Sequence, residues 1–88
     1  MAATLEDVKA HLHIFHSVED DYLRSLLEQS ASAIEEMTGI NEGPRFDELV
    51  LNRVRFAYND KLDEFETRYQ SVLLSTSLKN LEGDANEV

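Results

Sequence analysis

The 88-residue chain has no cysteine, no tryptophan, one proline and three glycines. Without cysteine there is no disulfide framework, no thiolate metal site and no thiol nucleophile. That composition is compatible with a reducing cytoplasm. No apolar run approaches the roughly 20 residues of a membrane-spanning helix. The opening stretch MAATLEDVKAH is acidic and amphipathic, not a basic segment followed by an apolar one, so no secretory signal is expected. These features read as a soluble protein of the cell interior. Cations are also scarce: 8 Lys and Arg stand against 18 Asp and Glu, for a net charge of -10. That balance opposes general nucleic-acid binding, in which basic side chains replace counterions on phosphate, and it opposes docking on anionic membranes. A glycine-rich phosphate loop and a G-x-S-x-G elbow are missing as well. Neither an enzyme nor a cofactor is expected.

What is present is helical patterning. The only strong punctuation is TGINEGPRF, residues 38–46, which holds Pro44, Gly39 and Gly43. The first helix is expected from Thr4 to about His13, with Thr4 and Asp7 spaced as a capping box and an apolar stripe of Leu5, Val8 and Leu12. The second is expected from a cap at Ser17, with Glu19, Asp20 and Asp21 in its first turn, to a stop at Gly39. A third starts near Phe46, and Asn59-Asp60 offers a weak break after it. The fourth runs from about Leu62 to Leu81 and carries two apolar stripes rotated relative to each other: Phe65, Tyr69, Val72 and Leu73, then Leu74, Leu78 and Leu81. Such a helix can face its own core at one end and a neighbour at the other. The fold class expected is all-α, a small bundle of about four helices with a long C-terminal helical segment. It forms one domain over residues 1–81, followed by a polar tail, 82–88, expected to fray. A domain this small buries a modest fraction of its surface and is marginal alone, which leaves partners as its open route to stability.

Three histidines fall within six positions, at 11, 13 and 16. Helical residues two apart point to nearly opposite sides, and the first helix is expected to end before His16, so the i, i+4 spacing of metal-binding helices is absent. They read as surface or interface histidines, and no metal is expected. The acid pairs Glu35-Glu36 and Asp63-Glu64 read as solvated charge. Phe46, Phe56, Tyr58, Phe65 and Tyr69 read as core or interface packing. Arg53, Arg55 and Arg68 form either ion pairs with neighbouring helices or a basic strip for an acidic partner.

The segments TLEDVKAHLHI and SVEDDYLRSLLEQSASAIEEMTG resemble the opening of the head-tail connector (head-completion adaptor, DNA packaging) family of tailed phages and prophages. The matching residues are Leu5, Val8, Lys9, Leu12 and Ile14, then Asp20 and Asp21, then Thr38-Gly39. The stretch LVLNRVRFAYNDKLDEFETRYQSVLLSTSLKNL is similar to the C-terminal half of members from phages of Gram-positive bacteria, through Arg53, Val54, Arg55, Phe56, Tyr58, Asn59, Phe65, Tyr69 and Ser71. The histidine-rich joint departs from the pattern, with Phe15 where a small or acidic residue is common. The resemblance implies a structural virion protein at the head-tail interface, present in the host cytoplasm during assembly. It implies a ring, expected to be dodecameric, that sits under the portal protein, extends the DNA channel and docks a downstream neck or tail-completion protein. DNA would pass without sequence-specific binding, and which acids line the channel is unknown. Candidate portal or subunit contacts are Arg53, Arg55, Tyr69, Leu74, Leu78 and Leu81. The competing reading is a small acidic phage regulator or DNA mimic bound to a basic protein.

Overall fold

The computed structural model describes the backbone of residues 3–86 and the side chains of residues 3–79. Four helices follow in order: α1 Leu5–Leu12, α2 Asp20–Thr38, α3 Pro44–Tyr58 and α4 Leu62–Asn86. Among the described residues there is no strand. The VLLSTS patch, which could read as a strand, lies inside α4. The polar tail lies beyond the described side chains.

The start of α1 is the capping box its sequence spells. The Asp7 amide donates to Thr4 Oγ1 at 3.2 Å, and the Thr4 amide donates to Asp7 Oδ2 at 2.9 Å. Its end is a Schellman motif. His13 takes the left-handed conformation at φ 59°. Its amide donates to the Ala10 carbonyl, and the Ile14 amide donates to the Lys9 carbonyl at 2.9 Å. Ile14 then drops into the core, 8% exposed. So His13 terminates a helix at a position that usually takes glycine.

The start of α2 corrects the sequence reading. The helix begins at Asp20, not Ser17, and its cap residue Glu19 makes no side-chain cap bond. The reason is that the cap's acid is already engaged: Asp20 Oδ1 accepts from Lys9 Nζ at 2.8 Å, which ties α2 to α1. Residues 14–19 are spent reversing the chain, and the Ser17 carbonyl only receives the Asp20 amide at 3.3 Å. At its other end α2 stops at Gly39 as expected, with φ 81° and its amide on the Glu35 carbonyl at 2.7 Å.

Helix α3 starts two residues earlier than Phe46 suggests, because Pro44 sits in its first turn, where a missing amide costs nothing. The Asn59-Asp60 break is a second Schellman motif. Asp60 has φ 58°, its amide donates to the Ala57 carbonyl at 3.1 Å, and the Lys61 amide donates to the Phe56 carbonyl at 2.8 Å. The chain therefore turns within three residues into α4.

Opposite substitutions test these backbone positions. Gly43 has φ 100° and ψ 168°, a region that is nearly glycine-only, although nothing stands within 4 Å of an added Cβ. Gly43→Ala should therefore cost about 1–3 kcal/mol through strain alone. His13→Gly should gain up to about 1 kcal/mol by relieving the left-handed residue. Urea midpoints of the two variants should move in opposite directions; a neutral Gly43→Ala would remove the strain argument.

The core is contributed by every helix. Val8 and Ile14 come from α1 and its exit, and Leu23, Leu26, Leu27 and Ile34 from α2. Phe46, Leu49, Val50, Val54 and Ala57 come from α3, and Phe65 from α4. The α2–α3 pair makes the most extensive contact. The body is elongated, 49 × 25 × 16 Å, with a radius of gyration of 13.8 Å. A compact chain of this length has about 12 Å. The excess belongs with α4, whose 25 residues span about 37 Å at 1.5 Å per residue.

Candidate functional site

Helix α4 changes character along its length. Phe65 is fully buried. It stacks on Tyr69 at 4.7 Å and takes the edge of the Phe56 ring at 5.8 Å, and Phe56 meets Tyr69 at 6.0 Å. One turn further, Val72 and Leu73 are half-buried against the same core. Then the apolar side chains leave it: Leu74 is 60% exposed and Leu78 is 51% exposed. The two rotated stripes are thus real faces, one inward and one outward. Leu81 continues the outward register in sequence, but its side chain lies outside the described residues. Leu73 and Leu74 also line a shallow groove with Met37 of α2, rimmed by Glu66, Gln70 and Ser77.

The three arginines of the sequence pattern separate. Arg53 turns inward: its guanidinium donates to the buried Ser30 hydroxyl at 3.1 Å, bracing α3 against α2. Burial pulls its pKa below the ordinary arginine value, and nearby Glu66 opposes the shift. Arg55 is exposed and, among the described residues, has no ion pair. Arg68 stands over the Phe56 ring, 5.9 Å from its centre. Arg55, Lys61 and Arg68 line one cleft at the α3–α4 turn, with Phe56 and Tyr69 as its apolar wall and Glu64 on its rim. Lys61 belongs to this cluster because the Schellman turn folds it back. Six residues from Arg55 in sequence and outside either helix, it carries no periodic signal.

The α1–α2 joint holds a third feature. Phe15 and Val18 are both 87% exposed, more than any other large apolar side chain described. Only the departure of Phe15 from the family pattern hints at this. The joint does not gather its histidines: His13 and His16 are exposed, and His11 is half-buried. Among the described residues, no group of three or more His, Cys, Asp or Glu is placed to hold a metal ion. Next to the joint, the Glu19 carboxylate raises the pKa of the Tyr58 phenol, first as a hydrogen-bond acceptor, with desolvation and negative charge adding to it. Tyr22 packs on Tyr58 at 6.3 Å. No described helix is long and apolar enough to cross a membrane.

Three features stand out on the described surface: exposed Leu74 and Leu78 on α4, a basic aromatic cleft and an apolar joint. No curated protein and no solved structure matches the chain. The model of one family, phage gp6-like head-tail connector protein, matches residues 2–87. With nearly its whole length matched, the chain belongs to the phage gp6-like head-tail connector family and is a structural component of the phage particle.

Proposed function

We propose that copies of this chain assemble as a ring, expected to be dodecameric, beneath the portal protein of a filled head. The ring extends the DNA channel and offers a docking surface to a downstream neck or tail-completion protein. The observation that carries this reading is the distal part of α4, where Leu74 and Leu78 stand 60% and 51% exposed on a helix running beyond the core. Two leucines one turn apart on one face offer an apolar contact to a neighbouring protein. Arg55, Tyr69, Leu74 and Leu78, with Arg53 and Leu81 beside them in sequence, are the candidate contacts to portal or neighbour.

The net charge of -10 suits a channel wall, because like charges repel within a Debye length of about 8 Å and DNA slides past without being gripped. The same acidity suits a DNA mimic less well. The exposed acids Asp21, Glu28 and Glu35 of α2 recur every seven residues, about 10.5 Å apart along a helix. A DNA strand carries one phosphate per about 3.4 Å of axis.

The test uses DNA-filled heads from a phage lacking this gene. Purified protein is added, the heads are sedimented, and bound copies and DNA leakage are measured. Binding at a fixed number near one ring per head, with DNA retained, is the expected result. Absence of binding by heads that still accept other neck proteins would sink the connector-ring reading in favour of the acidic regulator.

A further inference from the structure

We infer that the Arg55–Lys61–Arg68 cleft at the α3–α4 turn receives the outward face of α2 from a second copy of this chain, through Glu28 and Glu35. This inference rests on the ring reading above and assigns its subunit contact.

The argument begins from charge. A protein with 18 acids and 8 cations repels its own copies at long range. Copies can come close only where one presents its few cations. Lys9, Arg24 and Arg45 are committed to carboxylates of their own chain at 2.8, 2.9 and 3.7 Å, and Arg53 is committed to Ser30. Of the rest, Arg55, Lys61 and Arg68 share one cleft. Lys61 shares its charge with Glu64 at 3.8 Å, and Asp63 and Glu64 lie beside Arg68, so the two arginines carry the cleft's available charge. Neither arginine has a carboxylate partner among the described residues. Arginine's planar fork pairs with carboxylates in bidentate fashion, and Phe56 holds the Arg68 guanidinium in place for it.

The register supplies the rest. Lys61 and Arg68 are seven residues apart: Lys61 immediately precedes α4, its carbonyl accepting the Phe65 amide at 3.1 Å, and Arg68 lies within the helix. Glu28 and Glu35 are also seven apart on α2. The two acids are about 10.5 Å apart along α2, over the same seven-residue interval as the cations; within the chain Glu35 accepts from Asn41 Nδ2 at 3.4 Å and Glu28 lies beside Arg24. Ser25 and Ser32, exposed on the same side of α2, keep that face low enough for a neighbouring helix to approach at the usual 8–10 Å. Site and complement lie on different helices of one chain, which suits a head-to-tail contact; such a contact closes into a ring when its rotation permits.

The test is charge reversal on heads lacking the gene. Lys61→Glu/Arg68→Glu and Glu28→Lys/Glu35→Lys each change only exposed side chains, and circular dichroism should confirm unchanged helix content. Each variant alone should bind heads about tenfold or more weakly, and the protein carrying all four substitutions should recover to within about threefold of wild type. Loss by the cleft variant with no recovery in the combined protein would mean that the cleft meets some other surface, and would overturn the assignment. Normal ring formation by both reversals would overturn it too. In that case, a short DNA duplex bound by the wild type and released by Lys61→Glu/Arg68→Glu would identify the cleft as DNA-facing. Failure of the wild type itself to load heads would remove the ring reading and this contact together; the other failures leave the ring reading standing.

Discussion

Phe65→Ala should destabilise the domain by about 3–5 kcal/mol, the cost of emptying a fully buried phenylalanine site. Phe65 has no exposed surface, and among the described residues it is the one fully buried large side chain that α4 contributes. It stacks on Tyr69 at 4.7 Å and meets the Phe56 ring edge-on at 5.8 Å, so truncation also removes two aromatic contacts, each worth about 0.5–1.5 kcal/mol beyond area. Against this stands a total stability of about 4–13 kcal/mol, scaled from typical values per residue. The substitution should leave a large unfolded fraction at ambient temperature, seen as lost helix signal and a urea transition moved toward zero denaturant. Phe15→Ala is the matched control. That ring is 87% exposed, and its removal should change stability by less than about 0.5 kcal/mol. If the two variants unfold alike, α4 is held to the bundle by something other than this aromatic cluster.

The contrast between the two phenylalanines marks how far the sequence can be read. The helices were legible, because each buries a stripe at helical spacing: Leu23, Leu26, Leu27 and Ile34 on α2, Leu49, Val50, Val54 and Ala57 on α3. Thr4 and Gly39 were legible as caps because both act locally, Thr4 through its hydroxyl and Gly39 through a backbone free to turn left-handed. Ser17 misled for the opposite reason. Its local pattern is sound, but a distant partner, Lys9, holds the Asp20 carboxylate. The outward stripe of α4 was also legible, since Leu74 and Leu78 fall out of phase with Phe65 and Tyr69 on one helix.

The cleft was only half legible. Arg55 and Arg68 stand out in an acidic chain, but their meeting depends on a left-handed Asp60 that no periodicity encodes. Arg53 looked equivalent to Arg55 by composition. Residues two positions apart on a helix point to nearly opposite sides, and here Arg53 reaches the Ser30 hydroxyl and Arg55 the cleft. The exposure of Phe15 and Val18 had no sequence signal beyond the family departure, because an apolar residue in a short joint is as readily buried as displayed. Ile14, their neighbour, is buried.

Leu74→Asp/Leu78→Asp should leave the isolated subunit folded, with a propensity cost of no more than about 1.4 kcal/mol, and abolish its retention on heads. The first half follows from exposure. With 60% and 51% of their surface in water, these leucines contribute little to the fold, and aspartate in the middle of a helix costs at most about 0.7 kcal/mol in propensity. The second half follows from burial in an assembly. Covering a fully exposed leucine stabilises by about 1.5–3 kcal/mol; with about half of each surface left to cover, losing two removes about 1.5–3 kcal/mol, or one to two orders of magnitude in affinity. Aspartate adds the cost of desolvating a carboxylate without a partner, on a chain already at -10. Sedimentation with gene-deficient heads should therefore find the variant in the supernatant at concentrations where wild type saturates, with a cooperative thermal transition retained and lowered by no more than about 10 °C. Wild-type retention of this folded variant would show that the stripe faces solvent in the particle. The contact would then have to be sought at the cleft or at the Phe15–Val18 joint, which the same assay separates with Lys61→Glu/Arg68→Glu and Phe15→Ala.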